Sequence, residues 1–344
     1  MTKNTVYTIL LFVVSVSISL LLGEAICRCK QKYITVYEQT SGKPYVSPYV
    51  VHSQGWLRLM PRNTTIQNQG KEFFYNVKTN SEGLPDREYT KEKPPHCYRI
   101  ATLGDSYTEG AGAVMDSSWP RLLQKQLTAF HHDSLEVMDC GVSGSDPVYE
   151  YMLLKKKILQ YHPDMVIVAI NRTDIEDCIV RGGLERFQPD STVRYAEPPW
   201  WEGIYARSFL FRTIINGGLH YDHLLLSQDQ FKVRHEKALQ ILEQITDSLS
   251  ALCQQSNCRL MLVFHPIGQD LVESKMETQP ILDYAKTKGL TTLDILNYFS
   301  ANGVNISTKD KYYWPIDGHN KPEGYLLIAR AVAQQIEHDN AISH

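Results

Sequence analysis

The chain has 344 residues, 43% hydrophobic and 21% charged, with a formal net charge of −3. That length allows one to three domains and a sizeable core, and the near-neutral balance gives no electrostatic case for nucleic acid as a partner. Seven cysteines show no zinc-like spacing, so no metal or other cofactor is expected. Cys97, Cys140 and Cys178 read as small buried hydrophobes. Cys253 and Cys258 stand close enough to bridge a short loop in an oxidising compartment.

At the N-terminus, Val6–Leu22 carries no charge, with Lys3 before it and Arg28, Lys30 and Lys32 after it. About 20 apolar residues cross a bilayer as a helix, and the range reaches down to about 17. A cleaved signal peptide is the rival reading. Gly23-Glu24-Ala25-Ile26 is a poor cleavage site, and Ile26 is too large to precede a lipoprotein cysteine at Cys27. Residues 1–32 are therefore expected to form an uncleaved anchor, and the membrane is an expected partner.

Residues 33–97 are polar, Tyr-rich and punctuated by Gly and Pro, which favours short strands and turns, as a linker or a β cap. From Tyr98 the pattern changes to alternating strand and helix. Tyr98–Leu103 is followed by a helix face of Leu123, Leu127 and Phe130, then by the strand Leu135–Cys140. Tyr151, Leu154, Ile158 and Tyr161 recur at helical spacing before the buried-strand run Met165–Ile170. Ala238, Leu242, Ile245, Leu249 and Leu252 give an amphipathic helix leading into Leu260–Phe264. Leu282–Lys288, Leu290–Ile295 and Tyr325–Ile336 complete the series. This alternation predicts an α/β domain over 98–340, a parallel sheet with helices on both faces. The stretch at about 175–232 breaks the rhythm and reads as an insertion over the site rim. There Trp200 and Trp201 would stack on sugar rings, lie against a membrane, or fill a local core.

Two motifs carry chemistry. Ser106 lies in Gly104-Asp105-Ser106-Tyr107-Thr108-Glu109-Gly110, directly after a strand run, and Asp317-Gly318-His319 sits near the C-terminus. A serine hydroxyl is a weak nucleophile until an imidazole accepts its proton and a third group orients that base. His265, after the strand Leu260–Phe264, reads as a loop histidine.

These residues resemble the blocks of the SGNH/GDSL hydrolases, a family of esterases, lipases and carbohydrate acylesterases. Gly104–Gly110 is similar to the first block, and Asp317–His319 with Asn320-Lys321-Pro322-Glu323-Gly324 to the last. Val142-Ser143-Gly144 and Asn171 resemble the second and third. The resemblance covers roughly 98–340 and implies a three-layer αβα sandwich of SGNH/flavodoxin-like type, plus the N-terminal transmembrane helix and the small β-rich segment. It implies catalysis by Ser106, Asp317 and His319, with an oxyanion hole from the N–H groups of Ser106 and Gly144 and the amide of Asn171. The third block is usually Asn-Asp, but here it reads Asn171-Arg172-Thr173-Asp174. If Asp174 matches the family aspartate, Thr173 stands in the asparagine's place.

The function implied is hydrolysis of an acyl ester, acetyl being the leading choice, on an envelope or extracellular saccharide or a smaller ester. A saccharide O-acyltransferase and a non-catalytic binding protein share the framework and stay open. The basic residues after the apolar segment favour a cytoplasmic C-terminal side, whereas anchored relatives implied by the resemblance hold the enzyme outside the cytoplasm. The expectation adopted is a single-pass, extracytoplasmic catalytic domain.

Overall fold

Met165–Ile170 is apolar at every position and buried along its whole length, as a strand must be when both faces of its sheet are covered. In the computed structural model, which describes residues 2–30, 45, 47–49, 55–70, 72–130, 135–339 and 342, it is central to a five-stranded sheet. The strands are β3 (Tyr98–Leu103), β4 (Leu135–Asp139), β5 (Met165–Ile170), β6 (Arg259–Phe264) and β7 (Thr291–Asp294). A separate hairpin, β1 (Thr65–Gln69) and β2 (Phe74–Lys78), precedes them. The sheet order is β4-β3-β5-β6-β7, and every pairing is parallel. Counted along the sheet's own strands this is the 2-1-3-4-5 order of doubly wound folds. Its switch point, between β3 and β5, opens a crevice at the carboxyl ends of the strands. The α/β three-layer expectation describes this architecture.

The period of two along each strand sorts the side chains between the layers. Met165, Ile167 and Ala169 of β5, with Met261 and Val263 of β6, join one core. Against it pack Leu123 and Leu127 of a helix at Trp119–Phe130, and Ile328, Val332 and Ile336 of a helix at Pro322–His338. The alternate residues, Val166, Val168, Ile170, Leu262 and Phe264, are equally buried on the other side. The side chain of Phe130 lies outside the described residues.

Local details depart from the periodicity in two places. The helix Pro147–Lys156 stops at Lys157, whose φ of −133° leaves helical space, and Ile158–Tyr161 form a separate 3₁₀ turn. In the long helix Gln228–Gln255, Ala238, Leu242, Ile245 and Leu249 are buried as expected, but Cys253 rather than Leu252 continues the stripe. Cys253 and Cys258 are free thiols, with Cys258 Sγ 3.6 Å from the Cys253 carbonyl.

The chain divides into two compact units, one of Val51–Tyr195 with His235–His344 and one of Met1–Val50 with Ala196–Arg234. The stretch read as an insertion at about 175–232 is thus shared: residues up to Tyr195 fall in the sheet unit and those from Ala196 in the other. In the second unit α1 (Lys3–Lys30) is long and apolar enough to cross a membrane, and none of it is buried. Tyr205, Ile215 and Leu225 form a small core there, ringed by Tyr45, Trp201, Phe211 and Tyr221. Trp201 fills this core edge-on to Tyr221 at 5.5 Å, while Trp200 is 89% exposed. Of the expected β-rich segment 33–97, residues 33–44, 46, 50–54 and 71 lie outside the described residues. The remainder holds the hairpin and a tight turn at Asn80–Leu84, where the Asn80 carboxamide accepts from the N–H of Glu82 and of Leu84.

One glycine sets the approach of β4 to the crevice. A Cβ on Gly141 would stand 2.2 Å from the backbone nitrogen of Glu109, which cannot yield as a side-chain tip can. Gly141→Ala should therefore destabilise the chain by about 3 kcal/mol, the upper end of overpacking costs. An unchanged urea midpoint would show that the two backbones are not held this close.

Candidate active site

β3 delivers its chain to the crevice through Gly104, whose φ of +155° is paired with a tight approach: a Cβ there would lie 2.1 Å from Thr108 Oγ1. The chain then turns directly into a short helix, Ser106–Glu109. Asp105 caps it, its Oδ1 accepting from the Tyr107 N–H at 2.9 Å, so Ser106 is the first helical residue. Ser106 Oγ stands 2.7 Å from His319 Nε2, and His319 Nδ1 stands 2.5 Å from Asp317 Oδ1. Gly318, at φ +90°, bends the chain so that side chains only two residues apart converge. The structure thus brings Ser106, His319 and Asp317 into one hydrogen-bonded line.

Asp317 is pulled two ways. Burial pushes its carboxyl up, while the hydrogen bond and charge of His319 together outweigh this and hold it below the ordinary carboxylate range. An ionised Asp317 accepts from Nδ1–H and leaves Nε2 as the basic nitrogen facing Ser106. Tyr107 fixes the ring from the side, its centroid 4.6 Å from that of His319 and its hydroxyl donating to Gly318 O at 3.2 Å. His265, expected to be a loop histidine, is buried with its ring centroid 4.7 Å from that of Tyr107, where burial lowers its basicity.

The second predicted block is held by bonds on both sides of Gly144. Val142 N–H donates to Gly104 O at 2.9 Å, and Ser143 N–H to Glu109 Oε2 at 2.8 Å. Arg58 Nη2 donates to Ser143 O at 2.8 Å and Arg181 Nη1 to Gly144 O at 2.7 Å. Arg181 and Arg186 both pair with the buried Asp146 that caps the helix Pro147–Lys156. Gly144 takes φ +69°, and neither its N–H nor that of Ser106 donates to another protein group among the described residues.

Beneath this loop, Ser145 Oγ lies 3.0 Å from Gly104 O and 2.8 Å from Glu150 Oε1. A hydroxyl has one proton, and a backbone carbonyl can only accept. Ser145 therefore donates to one of them at a time, and Gly104 O already accepts from Val142 N–H. Burial pushes the Glu150 carboxyl well up, against the Ser145 bond and with the charges of Asp105 and Asp146 adding. Its other oxygen is buried without a partner, tolerable for an acid and costly for a carboxylate.

Asn171 is fully buried at the end of β5 and does two things. Its Oδ1 accepts from Thr173 N–H at 2.8 Å, capping the helix Arg172–Arg181, and its Nδ2 donates to Asp105 Oδ2 at 3.0 Å. Asp174 closes the capping box by accepting from Asn171 N–H at 2.8 Å. The spacing that left Thr173 as a candidate is thus a helix-start device. The Thr173 hydroxyl reaches Asn171 Oδ1 at 2.8 Å and Asp105 Oδ2 at 3.3 Å.

The sequence reading missed Glu72, in the hairpin turn. Its Oε2 accepts from the N–H groups of Ile316 and Asp317, each at 2.8 Å, and the neighbouring Phe73 ring stands 5.4 Å from Trp314. Trp314 Nε1 in turn donates to Gly112 O at 2.9 Å. Only the fold puts an acidic residue of the hairpin beside a loop some 245 positions away, so no local signal marks it. Among the described residues no three His, Cys, Asp or Glu side chains stand together as a metal set.

No family model and no curated protein matches the chain. Among solved structures it is similar to a two-domain esterase active on acetylated mannans, at 11% identity and TM-score 0.45, covering 72% of this chain. The chain spans about half of that protein, 50%. It is also similar to a lipase/acylhydrolase from Enterococcus faecalis, at 12% identity and TM-score 0.42, covering 70% of this chain and 96% of the other. A Geobacillus acetyl-xylooligosaccharide esterase gives 14% identity and TM-score 0.44, covering 70% and 94%. The strand order and the side-chain geometry above stand independently of these likenesses.

Two outcomes check the geometry. Glu72→Ala frees both N–H groups of the Asp317 loop and should lower kcat about 10-fold, the scale of a hydrogen bond to a charged acceptor. An unchanged kcat would deny Glu72 its hold on Asp317. Burial raises the Glu150 carboxyl above its unfolded value of about 4.3, so this group's contribution to stability falls as pH rises from there. The urea midpoint of Glu150→Gln relative to wild type should therefore climb as pH rises above about 4.3. A constant difference would mean that Glu150 is ionised in the fold.

Proposed function

We propose that the chain is a serine esterase of the SGNH type that cleaves acyl esters through an acyl-enzyme on Ser106. The observation that carries this reading is the line from Ser106 Oγ through His319 to Asp317 at hydrogen-bond distances. His319 takes the serine proton as Oγ attacks the ester carbonyl, then returns it to the leaving alcohol. In the second half it takes a proton from water, which releases the acid. Asp317 keeps the imidazole in the required tautomer and balances its charge when it becomes an imidazolium.

The oxyanion of each tetrahedral intermediate is assigned to the N–H groups of Ser106 and Gly144 and to Asn171. A carboxamide has two N–H bonds; one holds Asn171 to Asp105, and the second is left for the oxyanion. Preorganised donors of this kind stabilise charge that develops only in the transition state.

The substrate class we infer is an O-acetyl ester of an envelope or extracellular saccharide, with α1 holding the enzyme at the membrane as an uncleaved single-pass anchor and the catalytic domain outside the cytoplasm. Support for retention of α1 comes from its tertiary bonds: Glu24 accepts from Ser208 Oγ at 2.8 Å and from the N–H groups of Phe209 and Leu210, at 3.1 and 2.9 Å. A segment destined for removal has no need of such contacts.

The full chain in detergent should release p-nitrophenol from p-nitrophenyl acetate, and Ser106→Ala should not. Asn171→Ala should lower turnover by about 10²–10³. Full turnover in Ser106→Ala would sink the nucleophile assignment, and a large loss in Thr173→Ala with none in Asn171→Ala would move the oxyanion role to Thr173.

A further inference from the structure

We propose that the stretch from Trp200 to Leu219 is a membrane-interface surface whose partner is the headgroup and upper acyl layer of the bilayer that α1 crosses. This rests on the reading of α1 as a retained span.

The charge-free stretch between Lys3 and Glu24 is twenty residues long, and at about 1.5 Å per residue it matches the roughly 30 Å of a hydrocarbon core. Glu24 therefore marks the level at which the span meets headgroups. At that level α1 is fastened to the helix Phe209–Thr213. Besides the three Glu24 bonds, Arg28 Nη2 donates to Arg207 O at 2.7 Å, and its guanidinium lies 5.0 Å from the centre of the Phe209 ring. Gly23 lets the two approach: a Cβ there would come within 3.1 Å of Leu210 Cδ2. Residues 207–213 are thus fixed within a side-chain length of the hydrocarbon edge.

The apolar residues around this junction divide in neighbouring pairs. Trp201, Tyr205 and Ile215 turn into the small core, whereas Trp200, Ile204 and Ile214 turn outward, joined by Leu219. These four are 89%, 49%, 47% and 57% exposed. Such a set is unfavourable against water but suits the boundary of a bilayer, where an indole keeps its N–H hydrated and its ring in the acyl layer. Between Ala196 and Arg234 four acidic residues, Glu197, Glu202, Asp222 and Asp229, are balanced by Arg207, Arg212, Lys232 and Arg234. The attraction is accordingly apolar, with no requirement for anionic lipid and little sensitivity to salt.

The full chain, reconstituted in phosphatidylcholine vesicles whose acyl chains are brominated near the headgroup, tests this through tryptophan emission. Wild type should be quenched relative to unbrominated vesicles, at low and high salt alike, and Trp200→Phe should lose at least half of the quenchable emission. Because Trp200 is exposed, that variant should keep its fold and its esterase turnover. Equal quenching of wild type and Trp200→Phe, in a chain that resists alkaline carbonate extraction, overturns the surface while leaving the anchor in place. Extraction of the chain by carbonate, or an intact mass lacking the first residues, overturns the anchor and the proposal with it. Protection of Trp200 by a soluble oligosaccharide but not by lipid would assign the surface to sugar instead.

Discussion

A single buried carboxylate, that of Asp105, ties the carboxyl ends of β3 and β5 to each other. It accepts from Tyr107 N–H and from the Asn171 carboxamide, with the Thr173 hydroxyl 3.3 Å away. The first bond starts the short helix that presents Ser106, and the second orients the amide assigned to the oxyanion. These strands are neighbours at the switch point of the sheet, which is why one side chain can reach both. The proposed nucleophile and the proposed oxyanion donor are therefore set by the same group. Beneath the adjacent loop Ser145 Oγ meets both Gly104 O and Glu150, whose carboxyl burial pushes up.

His319, the proposed base, comes from the other end of the chain, and its position depends on contacts of a different kind. His319 and Ser106 are 213 positions apart, and Tyr107 and the Trp314–Gly112 bond each hold the Asp317 loop. The hairpin adds further contacts. Glu72 holds two N–H groups of the loop, and Phe73 meets Trp314, while earlier in the same segment Arg58 holds Ser143 O. A segment that reads as linker or cap thus reaches both the Ser143–Gly144 loop and the Asp317–His319 loop.

What was legible in the sequence was what depends on local periodicity or local turns. Met165–Ile170 needs no partner to declare itself a buried strand, and Gly104-Asp105-Ser106 announces a sharp turn with an exposed hydroxyl. Asp174 was legible but ambiguous, because a capping box and a catalytic block share the same residue types at the same spacing. Glu72 was not legible: its importance lies entirely in a long-range contact, and an isolated glutamate in a polar turn is ordinary. Trp200 and Trp201 show the same limit. Adjacent and identical, they differ only in which one the core of Tyr205, Ile215 and Leu225 takes up.

Ser106, made nucleophilic by His319, is proposed to carry the acyl group between substrate and water. Rapid acid quenching of the full chain during turnover of p-nitrophenyl acetate, followed by intact-mass and peptide analysis, addresses it most directly. One added acetyl group, located on Ser106, is expected in wild type and none in His319→Ala. Turnover at the wild-type rate with the acetyl group on another residue, or an equal Ser106 adduct in His319→Ala, would contradict it.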